Sequence, residues 1–551
     1  MSPAQWRYAS CTTIASLLAL GIAGTVGLGN PWWAAMAVWI VARPGRGLLL
    51  ERALFQLLGL SVGALAGVAI LHLSHGALAV DVVLLALLLG VCTFASSIWR
   101  HTRSFAAAFC GITATVIVVL GSGSSVDPNT LALTRALDQL IGILSACLAI
   151  AVFNPPGPGQ ALIDGLRRSA IDSIDVAIAT LRDPVDPATR RNHLLAALAQ
   201  VEMTAEDATA GSFSHRRKLR SVFELLGALL GLLTASHVLR ERLAPLAVFT
   251  PDVVAVLEAA KTELGRDTDT GAVAADLADL QKRLEHREPG AGSLLRGLGE
   301  AVLATMANHR ALAAQRSRPE TGLLVHHRDR RGAWRASLRT TAAVLLTGAM
   351  WLATGWQDSQ ITMMLVGIAL CLFAASDTAT HMIRQAFFGA IIGLAFATLW
   401  RLWLDPLLPP AIQWTVLAAA PILFAGSLLM VQRRWMFVGL IANLVFLLVS
   451  VPTYRSPPGS IVTTALFLLV GVVIAELAFR WPLGASPTIK RASLRAAVDR
   501  EIAEFATDIG DNRRRHHRAQ LRHIVLLAIG HDGCTPAAAQ SGFDDLLRAE
   551  A

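Results

Sequence analysis

Two arginines, Arg52 and Arg384, have the clearest chemical potential in this chain of 551 residues. Each stands at the start of a long apolar run, and the two runs correspond in an internal repeat. A guanidinium binds a carboxylate through two parallel hydrogen bonds, so two arginines that face each other would attract and orient a carboxylic acid. Arginines in this position also anchor membrane spans at the cytoplasmic surface, and the sequence leaves both interpretations open.

Aromatic and acidic side chains supply further candidates within or beside the apolar runs. Trp32 and Trp33 follow a turn, and their indole faces could stack on an aromatic ring, although tryptophans are also common at membrane interfaces. Asp138 and Glu476 are carboxyls in places where an ionisable group is costly and often functional, so both are proton-coupling candidates. Glu476 could instead pair with Arg480, one helical turn later.

The sequence offers no signature of catalysis or of a bound cofactor. Its four lysines never follow a glycine, so no phosphate-binding Gly-Lys-Ser/Thr loop is present, and HExxH, GxSxG and CxxC are also absent. The net charge is +9, but the basic residues flank apolar runs as membrane proteins require. We therefore expect no enzyme activity, no cofactor, no metal and no nucleic-acid partner.

The composition is that of a protein with many membrane spans. Hydrophobic residues make up 54% of the chain and charged residues 16%, against about 25% charged in soluble proteins. A helix of about 20 residues crosses a bilayer core, and twelve apolar runs approach this length, although the second is short. The twelve runs are 8–26, 31–42, 53–71, 82–99, 104–126, 139–153, 340–357, 359–376, 385–400, 406–432, 435–454 and 456–475.

The runs form two sets of six that are related by a repeat at an offset of about 328 residues. The matched positions include Trp6-Arg7 with Trp334-Arg335 and Gly59-xxx-Gly63 with Gly389-xxx-Gly393. An even number of spans in each copy gives both copies the same orientation, with a pseudo-two-fold axis along the membrane normal. The internal copy also argues that the first run is a genuine span rather than a cleaved signal.

The pattern predicts an all-α polytopic membrane protein with two parallel six-helix transmembrane repeats, each followed by a helical cytoplasmic region. The regions are a first transmembrane domain at 1–153, a cytoplasmic helical domain at 154–335, a second transmembrane domain at 336–482 and a cytoplasmic tail at 483–551. Arginines in every second loop place both termini in the cytoplasm. The apolar stretch 225–235 is expected to be too short to cross the membrane and to lie in the cytoplasmic bundle.

Three consecutive features of the first copy carry a family resemblance. They are Asn30-Pro31-Trp32-Trp33, the loop Arg43-Pro44-Gly45-Arg46-Gly47, and Arg52 before a span with glycines at 59 and 63. In these features, and in its layout over the whole chain, the sequence resembles the fusaric acid resistance family, which includes bacterial exporters of aromatic carboxylic acids. The second copy departs from the pattern, because Asp377 stands where the Pro-x-Arg-Gly loop would be. Arg43 and Asp377 join the candidate substrate-binding residues.

The resemblance implies an inner-membrane secondary transporter that exports small organic carboxylic acids, with aromatic acids of the fusaric acid or hydroxybenzoate kind as the expected substrates. It also implies contact with membrane lipids, a periplasmic adaptor and an outer-membrane channel as partners, with a homo-oligomer as a further possibility. Two alternatives stay open: a channel-like organic anion conductance that resembles aluminium-activated malate channels, and a membrane-anchored cytoplasmic interaction protein.

Overall fold

The fold is taken from a computed structural model of the chain. The structure describes residues 3–41, 46–99, 102–122, 126–153, 159–182, 188–209, 215–243, 250–266, 271–287, 291–313, 324, 329–356, 358–374, 379–409, 411–432, 434–450, 458–480, 487–507 and 510–550. These residues are almost entirely α-helical, and they include no β-strand. The predicted all-α class is therefore confirmed.

The chain divides into two compact units, each built from two separate stretches of sequence. The first unit comprises Met1–Gly157 and Asp329–Ser486, and the second comprises Pro158–Arg328 and Pro487–Ala551. The helices of the first unit are α1 (Pro3–Val26), α2 (Trp32–Val41), α3 (Arg46–Ser74), α4 (Leu78–Ile98), α5 (Thr102–Gly121), α6 (Pro128–Phe153), α13 (Arg330–Thr354), α14 (Ser359–Phe373), α15 (Ala379–Leu399), α16 (Ile412–Val431), α17 (Met436–Ser450) and α18 (Pro458–Arg480). Those of the second are α7 (Gly159–Arg182), α8 (Ala188–Thr209), α9 (His215–Leu243), α10 (Thr250–Arg266), α11 (Gly271–Arg287), α12 (Ala291–Ala313), α19 (Pro487–Thr507), α20 (Asp511–His531) and α21 (Pro536–Glu550).

Each of the twelve predicted apolar runs overlaps one α-helix of the first unit. Within the described residues, ten helices are long and apolar enough to cross a membrane, and nine of these belong to the first unit. The other three helices of this unit, α2, α14 and α17, are apolar but shorter. Helix α2 has 10 residues, which corresponds to about 15 Å and covers half of a bilayer core. A multi-pass membrane protein follows from these lengths.

The tenth long apolar helix lies in the second unit and corrects one expectation. The stretch 225–235 was expected to be too short for a span, but α9 is 29 residues long, and its part Ser221–Glu241 reaches the length and hydropathy of a span. The length argument is wrong because residues on both sides of the apolar stretch continue the helix. Most residues in this part of α9 are buried, and Leu229 and Leu232 are completely enclosed in the core of the second unit.

Small residues allow the closest helix contacts of the first unit, and these contacts recur in its two halves. Helix α6 meets α2 at Gly142, where an added Cβ would lie 2.3 Å from the carbonyl oxygen of Ala34. Helix α18 meets α14 at Gly471, where an added Cβ would lie 3.2 Å from the carbonyl oxygen of Thr362. The two contacts are 328 or 329 residues apart, as the sequence repeat would place them. The duplication itself stays a prediction, which this correspondence supports.

The same correspondence appears in the glycine zippers and in the contacts between halves. Gly59 and Gly63 bring α3 against the backbone of α5, and Gly389 and Gly393 bring α15 against the backbone of α17. Between the halves, α1 packs on α16 and α13 packs on α4. Because an added Cβ at any of these four glycines would lie within 2.6 Å of a carbonyl oxygen, the backbones can approach only where the side chain is absent.

The second unit has one apolar core that the tail helices share with the central segment. Val525 of α20 and Phe543 of α21 are buried in the same cluster as Leu195 of α8 and Leu229 of α9. Helices α20 and α21 both pack on α8 and α9. The C-terminal tail is thus part of the bundle formed by residues after the first set of spans, rather than a separate appendage.

Candidate functional site

Helices α2 and α6 bring together an arginine, two tryptophans and an aspartate inside the first unit. The guanidinium carbon of Arg135 lies 3.7 Å from the ring centroid of Trp33, close enough for a strong cation–π contact. The rings of Trp32 and Trp33 are 4.3 Å apart and tilted by 33°. Asp138 follows Arg135 by one helical turn. We call Trp32, Trp33, Arg135 and Asp138 the arginine–tryptophan site.

The sequence of α6 explains why these side chains face α2. Arg135, Asp138 and Gly142 are spaced by three and four residues, so they lie on one face of the helix. Gly142 lets this face approach the backbone of α2, which presents Trp33 next to the contact at Ala34. Arg135 is seven residues from the start of α6, or about 10 Å along its axis, and it precedes the apolar run 139–153 by about one helical turn.

The charges of the site are enclosed by protein. Arg135 is 4% exposed and Asp138 is 2% exposed, and the two side chains interact electrostatically. A charge buried in an apolar region is costly unless an opposite charge or a hydrogen bond compensates it. In the described part of the chain, Asp138 Oδ1 is buried without a hydrogen-bond partner. The site therefore has one buried acceptor oxygen, Asp138 Oδ1, that can bind another polar group.

Two buried amide side chains form a hydrogen bond next to the arginine–tryptophan site. Gln139, next to Asp138 on α6, accepts a hydrogen bond of 2.6 Å from Nε2 of Gln56 on α3. Both side chains are almost completely buried. Polar groups buried among apolar helices need such partners, and this pair fixes the position of α3 against α6.

A second polar contact joins the two halves of the unit at Ser427 of α16. Its hydroxyl oxygen accepts hydrogen bonds from the indole N–H of Trp39 on α2, at 3.2 Å, and from the hydroxyl of Thr13 on α1, at 3.0 Å. The Ser427 hydroxyl donates to the carbonyl oxygen of Leu423, at 2.9 Å. All three side chains are buried. Helix α2 is thus held by α6 at one end of its short length and by the opposite half of the unit near its other end.

Arg52 and Arg384, the two leading candidates from the sequence, have different surroundings. Arg52 on α3 is half-buried, and its guanidinium carbon lies 4.7 Å from the ring centroid of Phe105 on α5. Arg384 on α15 is exposed. The predicted repeat matches Phe437 with Phe105 at the same offset that relates Arg384 to Arg52, and Phe437 packs on Phe373 instead. The structure therefore gives these two arginines no common environment.

The remaining candidates are an intrahelical acid and two loop residues. Glu476 of α18 forms an ion pair of 2.5 Å with Arg480, one turn later in the same helix. Arg43 and Asp377 lie outside the described residues. Of the candidates predicted from sequence, Trp32, Trp33 and Asp138 meet in one site.

Sequence reasoning missed Arg135 as the centre of this site. A signal was available, since Arg135 is the one arginine of the outer loops in the first half and precedes a carboxyl by three residues. The Ser427 contact gave no comparable signal, because a serine within an apolar run is not unusual.

Comparison with known proteins identifies the family of the chain. The family model described as "Fusaric acid resistance protein family" matches residues 5–550, nearly the whole length. The chain belongs to the fusaric acid resistance protein family. The resemblance seen in the sequence is therefore confirmed, together with the transmembrane and helical character expected from it.

Curated relatives are about a quarter identical to the chain over the aligned residues. The p-hydroxybenzoic acid efflux pump subunit AaeB of Edwardsiella tarda is 24% identical, over 85% of this chain and 75% of its own length. An uncharacterized transporter of Gluconobacter oxydans is 24% identical, over 92% of this chain and 73% of its own. The uncharacterized transporter YdhK of Escherichia coli is also 24% identical, over 68% of this chain, which spans 57% of that relative's length. No solved structure shows significant similarity to the chain.

Proposed function

We propose that this member of the fusaric acid resistance family is a secondary transporter that exports small aromatic carboxylic acids across the bacterial inner membrane. The observation that carries the proposal is the position of the Arg135 guanidinium over the indole of Trp33 inside the first unit. A buried cation beside aromatic faces is complementary to a ligand that has both a carboxylate and an aromatic ring. Relatives named as p-hydroxybenzoic acid efflux pump subunits support the same class of substrate.

The chemistry of the site gives each residue a role. The substrate carboxylate binds Arg135, and its ring packs on the faces of Trp32 and Trp33. In the empty site, Asp138 is the negative charge that compensates Arg135. When a substrate carboxylate takes this place, two negative charges compete for one guanidinium, and Asp138 is the group that can be relieved by taking up a proton. Asp138 is thus the coupling candidate in this proposal, whereas Glu476 is engaged with Arg480.

The membrane potential supplies a driving force even without proton coupling. One negative charge that leaves a cell with a negative interior gains about 2.3 kcal/mol per 100 mV. At about 1.4 kcal/mol per tenfold ratio, this supports an outward gradient of roughly fifty-fold. A carboxylate exporter can therefore work with few buried acids.

The anion site belongs to the first half alone. With Gly471 placed on Gly142, Arg135 and Asp138 correspond to Thr464 and Phe467, which carry no charge. Each chain then has one carboxylate site at the α2–α6 contact, and the second half serves as its uncharged counterpart. The proposal accordingly predicts one high-affinity substrate per chain.

The topology inferred from arginine placement completes the proposal. Regions 1–153 and 336–482 cross the membrane, regions 154–335 and 483–551 lie in the cytoplasm with both termini, and lipid surrounds the spans. A periplasmic adaptor and an outer-membrane channel are the partners that would carry the acid beyond the periplasm. The word "subunit" in the names of the AaeB relatives supports such partners.

Transport into inverted membrane vesicles tests the proposal. With p-hydroxybenzoate as the probe, wild-type vesicles should accumulate the acid when the membrane is energised. Arg135→Ala should abolish accumulation, and Arg135→Lys should restore little, because lysine lacks the planar guanidinium that stacks and binds carboxylate at two points. Arg401→Lys is the matched control, since Arg401 is another membrane-unit arginine, 3.1 Å from its ion-pair partner Asp405.

The alternatives give different results in the same preparation. Equal accumulation by wild type and Arg135→Ala would refute the assignment of the site. No accumulation of any aromatic acid by wild type would refute the transport proposal as a whole. Discrete single-channel currents of the purified protein in a planar bilayer would show that it is an anion channel and not a carrier.

A further inference from the structure

The second unit contains a cluster of metal-ligand side chains that the transport proposal does not use. Glu501 and Glu504 of α19 and His517 of α20 offer one ligand atom each, and these atoms lie within 4.8 Å of one another. His517 Nδ1 is 2.8 Å from Glu501 Oε2 and 3.6 Å from Glu504 Oε2. We propose that Glu501, Glu504 and His517 form a zinc site that joins α19 to α20.

The spacing of the ligands along the helices produces this convergence. Glu501 and Glu504 are three residues apart, so both carboxylates leave the same face of α19. His517 reaches them from the neighbouring helix, and α19 packs closely on α20. Because the three ligands come from two helices and are separated by two and twelve residues, they match none of the familiar local zinc spacings. This explains why the sequence led us to expect no metal.

The geometry is close to that of a zinc site with three protein ligands. Zinc–nitrogen and zinc–oxygen bonds of about 2.0–2.2 Å place two ligand atoms of a tetrahedron about 3.4 Å apart. Glu504 Oε2 already lies at such a distance from His517 Nδ1, and Glu501 Oε2 needs to withdraw by about half an ångström, within side-chain adjustment. On binding, zinc takes the Nδ1 lone pair and any proton on that nitrogen leaves to solvent.

The three ligand side chains differ in their exposure to solvent, which suits a metal site that is open to water on one side. The Glu501 side chain is 8% exposed and that of His517 is 17% exposed, whereas that of Glu504 is 49% exposed. Two ligands are held in place by the surrounding protein, and the third borders on water. Water can then occupy the fourth position of the tetrahedron.

An ordinary ion pair accounts less well for the arrangement. Nδ1 carries at most one proton and can donate it to one carboxylate, while the second carboxylate repels the first. A divalent cation removes this repulsion. Arg514 and Arg518 lie over the ring of Phe505 on the same pair of helices, and their charge disfavours weakly held cations. Zinc, which favours an imidazole ligand, is therefore preferred to Mg²⁺ or Ca²⁺, which favour oxygen ligands alone.

Zinc binding to the purified full-length protein tests the proposal. After chelation and dialysis, ZnCl₂ is titrated by calorimetry, and bound zinc is counted by mass spectrometry of the metal. We expect one zinc per chain and a zinc-dependent rise in thermal stability. Glu504→Gln, at a half-exposed side chain that folding tolerates, and His517→Ala should each weaken binding by more than the roughly 10–100-fold that loss of an outer-shell partner costs.

A second histidine–glutamate pair of the same unit provides the control. His237 and Glu241 of α9 are 3.3 Å apart, and among the described residues the pair belongs to no three-ligand cluster. His237→Ala should leave zinc binding unchanged. If wild type binds no zinc, or if Glu504→Gln and His517→Ala bind it as tightly as His237→Ala does, the cluster is an ion pair and the proposal fails. If Glu504→Gln and His517→Ala keep the same zinc-dependent rise in thermal stability as wild type, the conclusion is the same.

Discussion

A single methyl group added at Gly142 should separate α2 from α6 and disable the arginine–tryptophan site. In Gly142→Ala the new Cβ would lie 2.3 Å from the carbonyl oxygen of Ala34 and 2.7 Å from Cβ of Ala37. Both neighbours belong to α2 and neither is the end of a flexible side chain, so the helix itself must move. Restoring van der Waals contact needs a shift of about 1 Å, and such overpacking costs typically 1–3 kcal/mol.

Two other glycines of the first unit allow the effects of the same substitution to be ranked. Gly471, the counterpart of Gly142, has its nearest neighbours at 3.2 Å, so alanine there requires adjustments of only a few tenths of an ångström. Gly21 of α1 has nothing within 4 Å of an added Cβ, and alanine there should be neutral or stabilising by up to about 1 kcal/mol. Thermal stability should therefore decrease in the order Gly21→Ala, Gly471→Ala, Gly142→Ala.

Function should follow the same order more steeply. A displacement of about 1 Å at the α2–α6 contact moves Trp33 away from Arg135, and misplacements of this size can cost about a hundredfold in rate in enzymes. Stability is measured by thermal unfolding in detergent and transport by accumulation of p-hydroxybenzoate in inverted vesicles. Equal stability and transport in Gly142→Ala and Gly21→Ala would refute the close contact and, with it, the geometry of the site.

Two further perturbations test features outside that contact. Arg52→Ala should reduce the stability by about 0.5–2 kcal/mol, because it removes the cation–π contact with Phe105. Arg384→Ala should change the stability little, because Arg384 is exposed. Equal effects of the two substitutions would contradict the difference in their surroundings. In the second unit, burial and then Lys490 lower the pKa of His531 from its ordinary value of 6.5. As the pH falls, His531 therefore takes up a proton in the unfolded chain before it does so in the folded chain. The free energy of unfolding is unaffected by this residue at pH 7.5 and decreases as the pH falls below about 6.5. Thermal unfolding of His531→Gln at pH 7.5 and 5.5 should show a smaller pH dependence than wild type, and an unchanged dependence would exclude this residue as its source.

The order of the helices in the membrane unit could be predicted from the sequence with good accuracy. Each apolar run overlaps one α-helix, because long stretches without charge have few alternatives to a membrane helix. Helix ends were harder to predict, as α9 shows, since helices continue through polar flanks once they are packed. The family was also accessible, because the turn before Trp32 and the arginine loop after α2 are local motifs.

The candidate site depended on contacts that local sequence does not encode. Trp33 and Arg135 are about a hundred residues apart, and the sequence gives the face of each helix but not which face it meets. The pair Arg52 and Arg384 was inferred from equivalence in the repeat, and equivalent positions need not have equivalent neighbours, as the exposure of Arg384 shows. The ligands of the proposed zinc site come from two helices for the same reason.

Residue types and local spacing were enough to predict the apolar helices of the first unit and the family to which the chain belongs, but not the length of α9. These properties depend on residue type and local spacing, which hydropathy and helix geometry convert directly into structure. The tertiary structure alone decided that the buried charge of the first half meets tryptophans, and that the tail shares its core with the central segment. Both depend on close approach between distant helices. At the α2–α6 contact, Gly142 permits this approach because a side chain there would collide with the carbonyl oxygen of Ala34 and with Cβ of Ala37.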